Sequence, residues 1–359
     1  MKKLFSVSAL AALMTTSALA EPNPLRNAYF GETHMHTALS LDACIGGARL
    51  MPSDSYRFAK GEPMAVNGRI KRLDRPLDFA AVSDHAEYIG EMVTTMFPDA
   101  PGHQSETVVN LQNLQSLKEK QEWFFRYVVG NTRSANPQHP DFYQGPETTK
   151  QGWQIIIDAA EEHNDPGIFT ALIAFEWTAA PGGGNMHRNV IFRDNVVPEL
   201  PLDSWITNKV EELWAWMDDV SDAGSTLLAI PHNSNASKGL LFPEVDSYGD
   251  PVDAEWAAAR AEWEPLIETM QIKGNSEVHE AFWTADEFAG FENGNSIQKN
   301  SNRYFSKRSF VREGLKIGLA YEQEPGTNPF HLERDETTRD LRDLRHTHQS
   351  PYVRRRRAH

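Results

Sequence analysis

Two histidines two residues apart, His34 and His36, can grip one cation from one side if they sit on a strand, because residues i and i+2 of a strand point the same way. Alone the pair says little. Among 13 histidines such a spacing is close to chance, and His346-Thr347-His348 supplies a second instance. Its company gives it weight: Asp84-His85 closes the run LDFAAVSDH, Glu176 closes ALIAFE, His232 closes TLLAIPH, and His187 follows the loop Pro181-Gly182-Gly183-Gly184. Glu176 is the most telling of these, since an ionised carboxylate beside an apolar core is costly unless it is paired or bound to metal. Several histidines plus carboxylate suit zinc, manganese or iron, and a bridging glutamate can hold two cations about 3.5 to 4 Å apart. The chemistry such a pair supports is hydrolysis. A serine nucleophile is the competing use of Asp84-His85, with Ser40 and Ser83 nearby, but no Gly-x-Ser-x-Gly elbow exists. Arg188 and Lys273 are candidates to meet an anionic substrate, Glu277 and His279 to line the pocket, and Asn185, Asn189 and Asn233 to orient imidazoles.

The elements that must position these groups read as alternating strands and helices. Leu77 to Val82, Thr170 to Trp177, Asn189 to Phe192, Thr226 to Pro231 and Glu268 to Ile272 have strand length and composition. Leu111 to Val129, Thr148 to His163, Asn208 to Asp222, Asp253 to Ile267 and Tyr304 to Ile317 are amphipathic helix candidates, and Asp165-Pro166-Gly167 stops the second. Alternation implies a parallel sheet with helices outside, whose active site lies beyond the C-terminal strand ends. Every candidate ligand fits that rule except His187, which precedes its strand.

Composition narrows the function classes. A formal charge of −15 argues against a nucleic-acid backbone as partner, while bound cations still permit a small anionic substrate. The lone Cys44 excludes an intramolecular disulfide and a cysteine zinc cluster. Lys2-Lys3, the apolar run Leu4 to Leu13 and Ala18-Leu19-Ala20 read as a signal peptide over 1–20, cleaved after Ala20, which implies a periplasmic or secreted protein without a membrane anchor. The body is then 21–330. Past Phe330 the text turns into a basic tail, 331–359, with eight Arg and no Lys or Gly, as a frameshifted reading would give, and disorder is expected there.

In order, FGETHMHTALSLDA, LDFAAVSDHAEYIG, LIAFEWTAAPGGGNMHRNVIF, AIPHNSNASKG and MQIKGNSEVHE resemble an exported, domain-of-unknown-function branch of the PHP (polymerase and histidinol phosphatase) superfamily, from about Asn27 to Phe330. The resemblance implies a distorted (β/α)7 TIM-like barrel, incomplete at its C-terminal end, with two or three divalent metals (Zn, Mn or Fe) and phosphoesterase-like activity. It gives His34 and His36 to one metal, Glu176 as the bridge, His187 and His232 to a second, and Asp42 and His85 to a third. Glu176 and His232 are the catalytic candidates, with His232 or a neighbouring histidine shuttling a proton. The pattern ends with an Asp-x-His strand that this sequence lacks, which implies a truncated or frameshifted copy of impaired activity. Hydrolysis of non-phosphate esters or amides, and a non-catalytic metal- or ligand-binding protein, are the other readings.

Overall fold

The computed structural model describes residues 28–330 apart from 67, 133, 135, 136, 292, 294–304, 324 and 325. The expected signal peptide and basic tail lie outside the described residues. Along the chain run β1 (Gly31–Met35), α1 (Leu41–Gly46), α2 (Pro52–Ala59), β2 (Met64–Val66), β3 (Arg69–Lys71), β4 (Phe79–Val82), α3 (Ile89–Met96), α4 (Glu106–Gln112), α5 (Leu117–Phe124), α6 (Gly130–Thr132), α7 (Pro146–His163), β5 (Thr170–Trp177), β6 (Arg188–Phe192), α8 (Val210–Asp222), β7 (Leu227–Pro231), α9 (Ala254–Trp263), β8 (Met270–Gln271), β9 (Gly274–Asn275) and α10 (Val311–Gln323).

Five strands form the main sheet in the order β1-β4-β5-β6-β7, curled like half a barrel. This corrects the expected (β/α)7 barrel: the described residues show no repeating β/α pattern, and the sheet is mixed. β1, β4 and β5 are mutually parallel, whereas β6 runs antiparallel to both β5 and β7. The reason lies in the connection. Thr178 to His187 is shorter than the dozen or so residues a parallel crossover needs, so the chain folds back beside β5 instead. A second correction concerns Glu268 to Ile272: only Met270–Gln271 is strand, and it pairs with β9 in a separate two-stranded hairpin.

Strand parity divides the sheet. One face of β5 presents Ala171, Ile173, Phe175 and Trp177 to the main core, together with Val190 and Phe192 of β6 and Leu227 and Ala229 of β7. Helices α2 and α7 cover part of this face, α3 packs on α7, and Gly152 of α7 lets α3 approach so closely that a Cβ would collide with Ile89. The opposite face carries a small apolar cluster of Ala81, Ala174, Ile191 and Ile230. It is on this second face that the candidate ligands fall.

Candidate metal centre

On β1, His34 has the parity opposite to Met35, which packs on the main core. Glu176 continues the series Leu172, Ala174 on β5; His187 lies two residues before Asn189 on β6; and His232 follows Ile230 on β7. All therefore reach one rim of the small-cluster face. The antiparallel β6 resolves the misfit of His187: pairing of Trp177 with Arg188 and of Arg188 with Pro231 puts the start of β6 beside the ends of β5 and β7. His85 arrives from the loop after β4 through an isolated bridge to Glu176.

Glu176 is fully buried and stands at the centre of five imidazoles. Its Oε1 is 2.8 Å from His187 Nδ1 and 3.0 Å from His232 Nε2. Its Oε2 is 2.9 Å from His36 Nε2, 3.3 Å from His85 Nδ1 and 3.5 Å from His34 Nε2. Each oxygen thus faces its own group of histidines. Asp42 extends the array, with Oδ1 3.2 Å from His36 Nδ1 and Oδ2 3.3 Å from His85 Nε2. Ligand atoms lie within 4.8 Å of one another in four overlapping sets: His34, His36 and Glu176; His34, His232 and Glu268; His36, Asp42 and His85; and Glu176, His187 and His232.

These residues fit a metal. Although His36 Nε2, His187 Nδ1 and Glu176 Oε2 are in close contact, none is aligned for a hydrogen bond, and all three are buried polar atoms without a hydrogen-bond partner. Lone pairs converging at such distances are what a cation would satisfy. Buried His/Glu clusters of this kind can hold a metal ion.

The electrostatics sort the ligands. Burial pushes His187 down to about 4 and holds His232 well below the usual imidazole range, which keeps both neutral with lone pairs to give. Burial opposes the charge of His36 too, but the carboxylates of Asp42 and Glu176 outweigh it and lift the ring to about 10. Burial alone would raise Glu176; the imidazoles of His85 and His232 hold it well below the usual carboxylate range.

The supporting shell is built from backbone. Asp84 accepts the Thr37 N–H at 2.6 Å and its hydroxyl at 2.6 Å, which fixes the chain just after His36. Thr178 Oγ1 lies 2.6 Å from His85 Nδ1. In the loop before His187, Gly182 and Gly183 have φ of 58° and 74°, and a Cβ on Gly184 would sit 2.5 Å from the Ser237 carbonyl. Asn189 donates to the Thr33 carbonyl at 3.2 Å, tying β6 across to β1. Asn233 has φ of 54° and is 1% exposed, with both side-chain polar atoms unpartnered beside His232. Asn185 is also buried, in the same loop as His187.

Not every candidate joins the centre. Arg188, offered above as a substrate contact, has the parity opposite to His187 and Asn189, so it points to the other face. There it is wholly buried, with Nε 3.0 Å from Glu264 and Nη1 donating to the Met186 carbonyl at 2.6 Å. Glu277 pairs with Arg312 at 2.8 Å, and His279 packs on Phe305, 4.8 Å between ring centres. Lys273, in the turn between β8 and β9, is half-buried, forms no ion pair among the described residues, and lies near enough to His187 to disfavour its protonation. One ligand candidate was missed: Glu268 Oε2 is 2.7 Å from His34 Nδ1, brought in by a hydrogen bond of its N–H to the Pro231 carbonyl at 3.0 Å. Its signal was hidden because it begins an apolar run instead of ending one.

The fold and this rim of ligands define a mixed α/β protein with a candidate metal centre. The chain belongs to the family described as protein of unknown function (DUF3604), whose model matches residues 23–333. No curated protein and no solved structure matches it.

Proposed function

We propose that this protein is a metal-dependent hydrolase of phosphate esters, akin in its ligand order to the PHP superfamily. The observation that carries the reading is Glu176, whose two oxygens each face a separate set of histidines, as a carboxylate bridging two cations requires. When bound, such cations supply Lewis acidity toward a phosphoryl oxygen and lower the pKa of a water between them. His187, His232 and Glu176 would hold one cation and His34, His36 and Glu176 another, while Asp42 and His85 together with His36 form a third set. Glu268 supplies a carboxylate beside His34, where the family resemblance otherwise leaves the first position short of one. His232, fully buried with Nε2 on Glu176, is a holding group in this arrangement. Lys273 is the cation that meets the substrate's negative charge.

The test is metal analysis of the purified protein followed by assay on phosphomonoesters, phosphodiesters, carboxylic esters and amides. Zinc, manganese or iron with turnover of a phosphate ester is expected, and Glu268→Ala should lower metal affinity about 10- to 100-fold. Metal without turnover of any phosphate ester refutes the activity, and turnover of carboxylic esters or amides alone reassigns it.

A further inference from the structure

A cavity of about 340 Å³ opens between the segment before α7 and the segment around Asp203 and Trp205. His139, Tyr143, Asp203 and Trp205 line it, and three prolines, Pro137, Pro146 and Pro201, stiffen its rim. Among the described residues no lysine or arginine lines it. Its volume lies in the range of small-ligand pockets.

Three features set its chemistry. Tyr143 stacks on His139 with ring centres 3.5 Å apart and planes 6° from parallel, and Trp205 meets His139 edge-on at 4.4 Å. Beneath them the fully buried Glu91 takes His139 Nδ1 at 2.7 Å, and its Oε2 has no hydrogen-bond partner. Asp203, only 8% exposed, accepts the N–H groups of Trp205 and Ile206 on Oδ1 at 2.9 and 3.0 Å, while Oδ2 has no hydrogen-bond partner among the described residues. Burial lifts Glu91 to about 7 and raises Asp203 as well, so the negative character of the cavity rests on the unpaired Asp203 Oδ2, which no lysine or arginine of the described lining neutralises. Aromatic faces beside that charge attract a cation with an apolar body.

We propose that this cavity binds a small organic ammonium ion, seated on Tyr143 and Trp205 with its charge toward Asp203. The site stands independently of the metal centre. The two are nonetheless linked: Glu87 Oε1 accepts the N–H of Ser204, next to Asp203, at 2.9 Å and that of Thr178, the partner of His85, at 2.8 Å.

Calorimetric titration tests this with choline as probe and 3,3-dimethylbutan-1-ol as its uncharged isostere. Choline should bind saturably with a dissociation constant of about 1 mM or tighter, and the alcohol at least tenfold more weakly. Asp203→Asn keeps the Oδ1 acceptor and should weaken choline about tenfold; Tyr143→Ala should do the same by removing a ring. Glu176→Gln, which touches only the metal centre, should leave it unchanged. Equal affinity for the two probes, no saturable choline binding, or wild-type affinity in folded Asp203→Asn and Tyr143→Ala proteins would overturn the proposal.

Discussion

Replacing Glu176 by glutamine tests the metal centre most directly, because it keeps the shape and removes the one charge shared by five imidazoles. Residues that merely orient a ligand cost about 10- to 100-fold in metal affinity when mutated, so an anionic bridge to two cations should cost about 100-fold or more. At a free metal concentration of about a thousand times the dissociation constant, the native protein gains about 4 kcal/mol by mass action. A hundredfold loss of affinity leaves about 1.4 kcal/mol at the same concentration. For a chain of this size 1 kcal/mol is worth about 2 °C of Tm, so the expected shifts are about 8 °C for the native protein and about 3 °C for Glu176→Gln. The assay is thermal unfolding after chelator treatment, with and without added zinc or manganese. Metal-induced shifts are compared instead of absolute Tm values, since the variant also loses its contacts to the histidines. Glu199→Gln, an exposed carboxylate, serves as control. A shift in Glu176→Gln equal to the native one would refute the bridging role, and no shift in either would refute the metal centre.

Metal uptake should release protons, because His36 is lifted to about 10 and is charged at neutral pH until a cation displaces its proton. Affinity should therefore rise up to about tenfold per pH unit below about pH 10, seen in titrations in buffers of different ionisation enthalpy. Glu264→Gln should destabilise the fold by about 3 to 5 kcal/mol in urea unfolding, since it strips the shared carboxylate from Arg188 and Arg260 and leaves two buried guanidinium groups facing each other. Glu91 is pushed up by burial to about 7 from 4.5, so between those values the folded state holds a proton that the unfolded state has lost. Stability should fall as pH rises through that window, by roughly 3 kcal/mol at most, and Glu91→Gln should flatten the slope measured by denaturant unfolding.

What could be read from the sequence was local, and what could not was directional. Thr170 to Trp177 is a strand with the bounds expected of it, because an almost continuous apolar run of eight residues is the length and type of a strand buried on both faces. His34, His36, Asp42, His85, Glu176, His187 and His232 do converge, because each motif sits at an element end where chain and rim coincide. Strand direction has no such local mark. A run such as Asn189 to Phe192 reads the same in a parallel or an antiparallel sheet, and only the short Thr178 to His187 connection hints that β6 turns back. That single reversal explains two discrepancies together. It makes the sheet mixed where a barrel was expected. It brings His187 to the rim from the wrong end of its strand. Arg188 faces away from the metal centre for a separate reason, its parity one residue off His187 and Asn189, and there Glu264 neutralises it. Glu268 escaped notice for a related reason: its place depends on a backbone bond to Pro231, a contact between segments far apart in sequence, and no periodicity within its own segment could announce it.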